Sequence, residues 1–224
     1  SALTLMQLDN PGAPVFYSIL PGVVNPNNGG YVAGMPEKQL ANLVAIQLGH
    51  YYDLPVLSGG FGATDAHEPN GWQAGKETSS DPLPISMSGA DMGAGIGLLE
   101  ASTLLYPEKI LFDDDIFHTV KTLVQGLDVN QQTLALDEIM EVGPRGHFLT
   151  QPSTKDNLRE LWQPGITHKW SPEKGDFEDP QKVAKEKIDW ILNNHQPEPL
   201  DPDVKEEIES IIDKAEKELS SSKI

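Results

Sequence analysis

The sequence predicts an α/β fold built on a parallel sheet, and three observations predict it. Short apolar runs of strand length alternate with helix-patterned segments through the first half of the chain. Beyond about residue 127 only helical patterns follow. Charge is segregated as well: residues 1–52 hold only Asp9, Glu37 and Lys38, whereas residues 172–224 hold 15 acids and 8 bases, so the front reads as interior and the back as surface. Strand–helix alternation means parallel strands joined by right-handed crossovers. Three strands alone do not complete such a sheet, because parallel sheets are normally covered on both faces. Two architectures remain open: a small doubly wound sheet, or the last three units of an eight-fold β/α barrel. A whole barrel takes about 250 residues, so the barrel reading needs residues ahead of Ser1 or a partner that supplies them.

The elements follow in order. Asn10-Pro11-Gly12 is a turn signal, and Pro14 to Leu20 is a first strand. Asn25 to Gly30 is loop chemistry, long for a mere connection. A helix starts near Met35-Pro36-Glu37, with Pro in its first turn and Leu40, Leu43, Val44, Gln47 and Leu48 on one face. Asp53-Leu54-Pro55 ends it. A second strand, Pro55 to Phe61, opens into a polar loop from Gly62 to Trp72. The next helix lies between Gln73 and Ser88 and is broken near Asp81 by Pro82 and Pro84. Gly89 to Gly95 is a third strand with a glycine-rich exit. Pro107 to Gly126 is a helix with a glycine C-cap and Ile110, Leu111, Ile116, Phe117, Val120, Leu123 and Val124 inside. Further helices are predicted near 131–141, 153–162, 180–194 and 203–219, the last with a stripe of Val204, Ile208, Ile211, Ile212, Ala215 and Leu219. The predicted division is 1–126 for the β/α units and 127–224 for a C-terminal helical extension packed on them. No internal repeat is evident.

Composition removes several function classes. With 34 acidic and 16 basic residues the formal charge of the 224-residue chain is −18. That excludes a general nucleic-acid binder, which needs basic residues for counterion release, and an anionic membrane surface as partner. The absence of cysteine excludes disulfides, thiolate zinc sites and a cysteine nucleophile, and accords with a reducing, cytoplasmic compartment. No run approaches the roughly 18 apolar residues of a membrane span.

Chemistry in either architecture sits beyond the C-terminal ends of the strands. The loop after Phe61 is the richest, with Thr64, Asp65, His67, Glu68, Asn70 and Trp72 close together behind two glycines. Asp65-x-His67 places an imidazole beside an orienting carboxylate, against the plainer reading of a helix cap and a surface histidine. Gly93-Ala94-Gly95-Ile96-Gly97 fails the phosphate fingerprint at Leu98 and reads as close packing, with Glu100 a possible site acid. Asp113-Asp114-Asp115 cannot all face one ion, since consecutive helical residues point about 100° apart, and reads as a solvated helix face. His50 and His118 have no companion at ligand spacing, so no metal site is predicted. Gly143 to Leu149 is a compact loop that either presents His147 at the mouth of the fold or merely joins two helices. Tyr17, Phe61 and Trp72 fall at or just after strand ends, where rings could cage a quaternary ammonium through cation–π attraction, although core packing is the default for each.

At these loops the chain resembles the C-terminal part of the trimethylamine methyltransferase family, the corrinoid-protein methyltransferases for methylated amines. The matching stretches are Asn10 to Val15, Leu54 to Gly60, Thr64-Asp65, Gln73-Ala74-Gly75, Ser88-Gly89-Ala90, Val142 to Leu149 and Pro197 to Leu200, in order over nearly the whole chain. The resemblance implies the C-terminal portion of a TIM (β/α)8 barrel. It implies a methyl group moved from a methylated amine to the cobalt of a corrinoid held by a cognate corrinoid protein, no cofactor bound directly, and a homo-oligomer. Some members carry pyrrolysine just before the Gln-Ala-Gly motif. Trp72 stands there in this chain, or Gly71 if the extra loop residue is placed otherwise, which resembles the non-pyrrolysine branch and glycine betaine as donor. The roles implied are Trp72, Tyr17 and Phe61 as the cage and Asp65 as the group stabilising the cation. His67 and His147 would hold a substrate carboxylate or line the corrinoid entrance. Two rivals are a different barrel enzyme using Asp65 and His67 as acid–base groups, and a non-catalytic subunit docking through its amphipathic tail.

Overall fold

A computed structural model describes residues 2–221. Residues fall into two compact units, Ser1–Ile188 and Asp189–Ile224.

The centre of the first unit is a three-stranded parallel sheet of β1 (Tyr17–Ile19), β4 (Val56–Gly59) and β5 (Met92–Ala94), in the order β1-β4-β5. Tyr17 pairs with Val56, Ser18 with Leu57 and Ile19 with Ser58, while Leu57 pairs with Met92 and Gly59 with Ala94. All three predicted strands form, as does the parallel pairing. A two-stranded ribbon of β2 (Val23–Val24) and β3 (Tyr31–Val32) replaces the loop expected after β1. Asn25 to Gly30 closes it, with the Asn25 amide donating to the Gly30 carbonyl at 2.8 Å. A short helix, α1 (Ala2–Asp9), precedes the sheet.

Helix α2 (Pro36–Tyr51) crosses from β3 to β4 and has Pro36 and Glu37 in its first turn, where a fixed φ and a negative charge both suit the helix start. Its buried face is not the predicted one. Lys38, Asn42, Ala45, Ile46 and Gly49 are buried, whereas Leu40, Val44 and Leu48 are exposed. The reason is closeness to the sheet: a Cβ on Gly49 would lie 2.2 Å from Val56 Cγ2, so the small side of the helix lies down and the leucines face away. Ile46, Val56, Phe61 and Ile85 form one core cluster, with Leu43, Ala90 and Phe117 packed against it. Register puts Tyr17, Val56, Ser58 and Gly93 on this helix-covered face. The opposite face carries Ser18, Met92 and Ala94, all exposed.

The proline break falls where predicted: α3 (Trp72–Ser80) stops at Asp81 and α4 (Pro82–Met87) starts anew. After β5 come a ribbon of β6 (Leu98–Leu99) and β7 (Leu104–Leu105), not anticipated, and then α5 (Pro107–Gln125), which ends at Gly126 with φ of 69°. The triple aspartate is not the solvated helix face its sequence predicts. Asp113 is buried against Lys109, Asp115 is buried and accepts the Ile166 and Thr167 amides at 3.1 and 2.8 Å, and only Asp114 is exposed. The 100° steps that rule out a shared ion give each carboxylate its own neighbour.

Beyond α5, a left-handed Ala135 splits the expected helix into α6 (Gln131–Leu134) and α7 (Leu136–Val142), and α8 (Pro152–Glu160) follows. An antiparallel ribbon of β8 (Trp170–Ser171) and β9 (Asp176–Phe177) leads into α9 (Pro180–Asn194). Leu111, Phe112, Ile166, Val183 and Ala184 make the second core cluster, so the segment up to residue 188 packs on α5. In the second unit, α10 (Pro202–Ser221) carries the predicted stripe, with Val204, Ile208, Ile211, Ile212 and Leu219 exposed. Among the described residues no helix is long and apolar enough to cross a membrane.

Candidate active site at the strand ends

The site is built around the exit of β4. Gly60 and Gly62 have φ of 70° and 80°, the left-handed region that glycine enters without penalty. The Phe61 amide between them donates to the Ala94 carbonyl at 2.8 Å, drawing the exits of β4 and β5 together. A Cβ on Gly95 would lie 3.2 Å from Gly60 Cα, so the close approach of these two turns requires glycine there.

Thr64 and Asp65 come next. The Thr64 hydroxyl donates to Glu77 Oε2 at 2.6 Å and the Asp65 amide donates to the same oxygen at 2.8 Å. The Asp65 carboxylate turns away from its own loop. It accepts the Ala33 amide at 2.7 Å and the Gly34 amide at 2.8 Å, one on each oxygen. Asp65 therefore ties the end of β3 to the exit of β4. Gly34 is obligatory in this arrangement, since a Cβ would sit 2.2 Å from Glu77 Cδ.

Tyr31 on β3, two residues ahead of the Ala33 amide that Asp65 accepts, was not singled out by sequence reasoning. Its ring lies over Gly22, where a Cβ would come within 2.9 Å of it. Burial, and then the negative charges of Asp65 and Asp81, push its hydroxyl above the ordinary value of 10.0. The ring, 37% exposed, thus feels the charge of Asp65. The signal was available: Asn25-Pro-Asn-Asn-Gly-Gly30 between Val23-Val24 and Tyr31-Val32 is hairpin chemistry.

The imidazole of His67 does have an orienting carboxylate, but it is Glu100 and not Asp65. His67 Nδ1 lies 2.9 Å from Glu100 Oε1, with the side chains 83% and 41% exposed. Glu100, Ala101 and Ser102 all have positive φ, 49°, 53° and 72°. Three consecutive left-handed residues without a glycine are a strained turn. It is held by Glu100 and Ala101 amides donating to the Ala66 and Thr64 carbonyls at 3.1 and 3.0 Å.

The remaining sequence candidates are dispersed. Tyr17 is at the N-terminal end of β1, the far end from Asp65, with its ring against Gly49 of α2. Phe61 belongs to the core; its ring meets Phe117 at 4.8 Å between centroids. Trp72, at the start of α3, is 90% exposed. His147 is exposed in the segment after α7. The structure brings together Thr64, Asp65 and Glu77, and separately His67 with Glu100. Among the described residues no group of three or more His, Asp and Glu side chains is placed to hold a metal ion.

Comparison with known proteins decides the family. The family model for trimethylamine methyltransferase (MTTB) matches residues 1–220. The chain belongs to the trimethylamine methyltransferase family. A trimethylamine methyltransferase of Methanosarcina barkeri is 32% identical over 222 residues, which is 97% of this chain and 44% of that protein. One from Desulfitobacterium hafniense is 30% identical over 221 residues, 97% of this chain and 44% of its own length. A glycine betaine methyltransferase from another strain of D. hafniense is 30% identical over 226 residues, 98% of this chain and 46% of its own. The chain thus spans under half the length of these relatives. Relatives named for two different donors match it about equally, so identity within the trimethylamine methyltransferase family does not choose the amine.

Proposed function

We propose that this chain is the C-terminal portion of a (β/α)8 barrel in a methyltransferase that moves a methyl group from a methylated or quaternary amine to the corrinoid of a separate protein. The observation that carries the site is the pair of carboxylates gathered at the β4 exit: Asp65 accepts the Ala33 and Gly34 amides, Glu77 accepts the Thr64 hydroxyl and the Asp65 amide, and the hydroxyl of Tyr31 on the adjoining β3 is pushed up by burial and then by the charge of Asp65, a setting that suits a cationic donor. The barrel is supported by the sheet: α2 covers one face, and the exposed Ser18, Met92 and Ala94 lie on the other, which closure into a barrel would bury.

Reduced cobalt is the nucleophile that the partner's corrinoid supplies when bound. The exposed Trp72 indole and the exposed His67 are the side chains assigned to the face that would meet the partner's corrinoid. The tasks left to this chain are binding and orientation. A quaternary ammonium leaves as a neutral amine, so no proton has to move, and the residues need only hold its N–CH3 bond in line. Tyr31 offers a ring face, Asp65 supplies a carboxylate, and the glycine turn lets backbone approach the donor. His67, oriented by Glu100, is assigned to a carboxylate on the donor, and His147 to the corrinoid entrance.

The test is methyl transfer to cob(I)alamin by the complete protein, with glycine betaine and trimethylamine as donors, followed by absorbance. Transfer from one of them is expected, with kcat/KM lowered roughly two- to thirty-fold in Tyr31→Ala, matching about 0.5–2 kcal/mol for a ring–cation contact. No transfer from any methylated amine would overturn the function. Unchanged turnover in Tyr31→Ala would remove that ring from the site.

A further inference from the structure

Two lysines of this chain, Lys38 and Lys109, are each 1% exposed, a burial lysine tolerates only when paired. Both stand third in a helix opened by the same tripeptide, Pro36-Glu37-Lys38 in α2 and Pro107-Glu108-Lys109 in α5. Both ammonium groups reach the same turn from different helices. Lys38 Nζ donates to the Gly60 carbonyl at 2.8 Å and to Asp81 Oδ2 at 2.7 Å. Lys109 Nζ donates to the Gly62 carbonyl at 3.0 Å and to the two Asp113 oxygens at 2.7 and 2.8 Å. Asp113 also accepts the Gly97 amide at 2.7 Å, which draws the exit of β5 into the same network. A third copy of the tripeptide, Pro172-Glu173-Lys174, opens no helix, and there Lys174 pairs with Glu178 at the surface. The tripeptide acts as a clamp only where a helix start delivers its lysine inward.

A buried ion pair contributes little net stability, because desolvation offsets the attraction. Burial accordingly pushes the Asp81 and Asp113 carboxyls up and the Lys109 ammonium down, against the pull of their partners. What such pairs supply is direction. We propose that Lys38 and Lys109 are positioning residues: by holding the Gly60 and Gly62 carbonyls on either side of Phe61, they fix where Ala63 to Ala66, and Asp65 with them, stand relative to β3 and Glu100. This rests on the strand-end loops being the methyl-donor site, and the test separates the two ideas.

In the complete protein, Lys38→Met/Asp81→Leu and Lys109→Met/Asp113→Leu each remove both charges, so no uncompensated charge is left buried. Amide hydrogen exchange is read by mass spectrometry beside thermal melting and methyl-transfer kinetics. The expected result is a melting temperature little changed, α2 and α5 still protected, amides of residues 61–66 exchanging roughly tenfold faster, and a kcat/KM loss carried mainly by KM. Unchanged exchange at 61–66 in a folded variant overturns the clamp, whatever the activity does. Faster exchange without any methyl transfer in the parent protein keeps the clamp and overturns the functional reading instead. Where a double variant melts below the assay temperature, the unaltered protein decides. In sub-denaturing urea residues 61–66 should open together with the first turns of α2 and α5, and a turn that opens earlier and alone overturns the proposal.

Discussion

Two kinds of side-chain pair bracket the same loops, and their settings differ more than their geometry. Lys109 meets Asp113 at 2.7 Å with both side chains 1% exposed, while His67 meets Glu100 at 2.9 Å out in solvent. In the interior the attraction is strong, the desolvation is costly, and the penalty falls on whichever partner is left alone. At the rim, water screens the pair and the cost of losing it is small. The inner pairs therefore fix shape, and the outer pair is free to be spent on a ligand.

Breaking an inner pair is the sharpest challenge to that contrast. Lys109→Ala leaves the Asp113 carboxylate buried without its cation, and about 3–5 kcal/mol of stability should be lost in chemical denaturation. Restoration of most of it by adding Asp113→Leu would show that the loss is the stranded charge and not the missing bond. Two variants of similar size come next, Gly34→Ala and Asp65→Asn. The new methyl of the first would press on Glu77, and a loss of about 1–3 kcal/mol is expected in the same measurement. Asp65→Asn puts an amide where one of two backbone N–H groups now donates, and should cost about 1.5–3 kcal/mol.

The charge of Asp65 felt at Tyr31 is checked by alkaline ultraviolet titration. Tyr31 holds its proton above pH 10.0 in the folded state and loses it there when unfolded. Its contribution is therefore whole below pH 10 and fades as pH rises through the folded value. The latest-titrating tyrosine should disappear in Tyr31→Phe and shift downward in Asp65→Asn; an unmoved titration in Asp65→Asn would dissociate the two residues. Smallest of all is His67→Ala, expected to change stability by no more than about 1 kcal/mol. A larger loss on melting would place the outer pair with the inner ones.

Much of the frame was legible before any coordinates. Strand-length apolar runs, the prolines after Asp81 and the glycine at 126 act locally, and the elements they mark formed where they pointed. What was hidden depended on distance. Lys38 and Lys109 were not singled out, because their partners for burial, the Gly60 and Gly62 carbonyls, lie 22 and 47 residues away. The recurring Pro-Glu-Lys was in plain view without a meaning until two helix starts converged on one turn. Asp65 and His67 are neighbours in sequence, yet each bonds to a different segment, Asp65 to the end of β3 and His67 to Glu100. Tyr17 and Phe61 were placed by nearness to strand ends, and register with Val56 and packing on Phe117 turned them toward the helices.

The left-handed run at Glu100 to Ser102 has a mechanical consequence. Its unfavourable torsions are kept in place by two acceptors, the carbonyls of Thr64 and Ala66, and the side chain it carries grips His67 of the same loop. Displacing the 64–67 stretch would take both acceptors away from residues 100–102, so these two segments are expected to shift together.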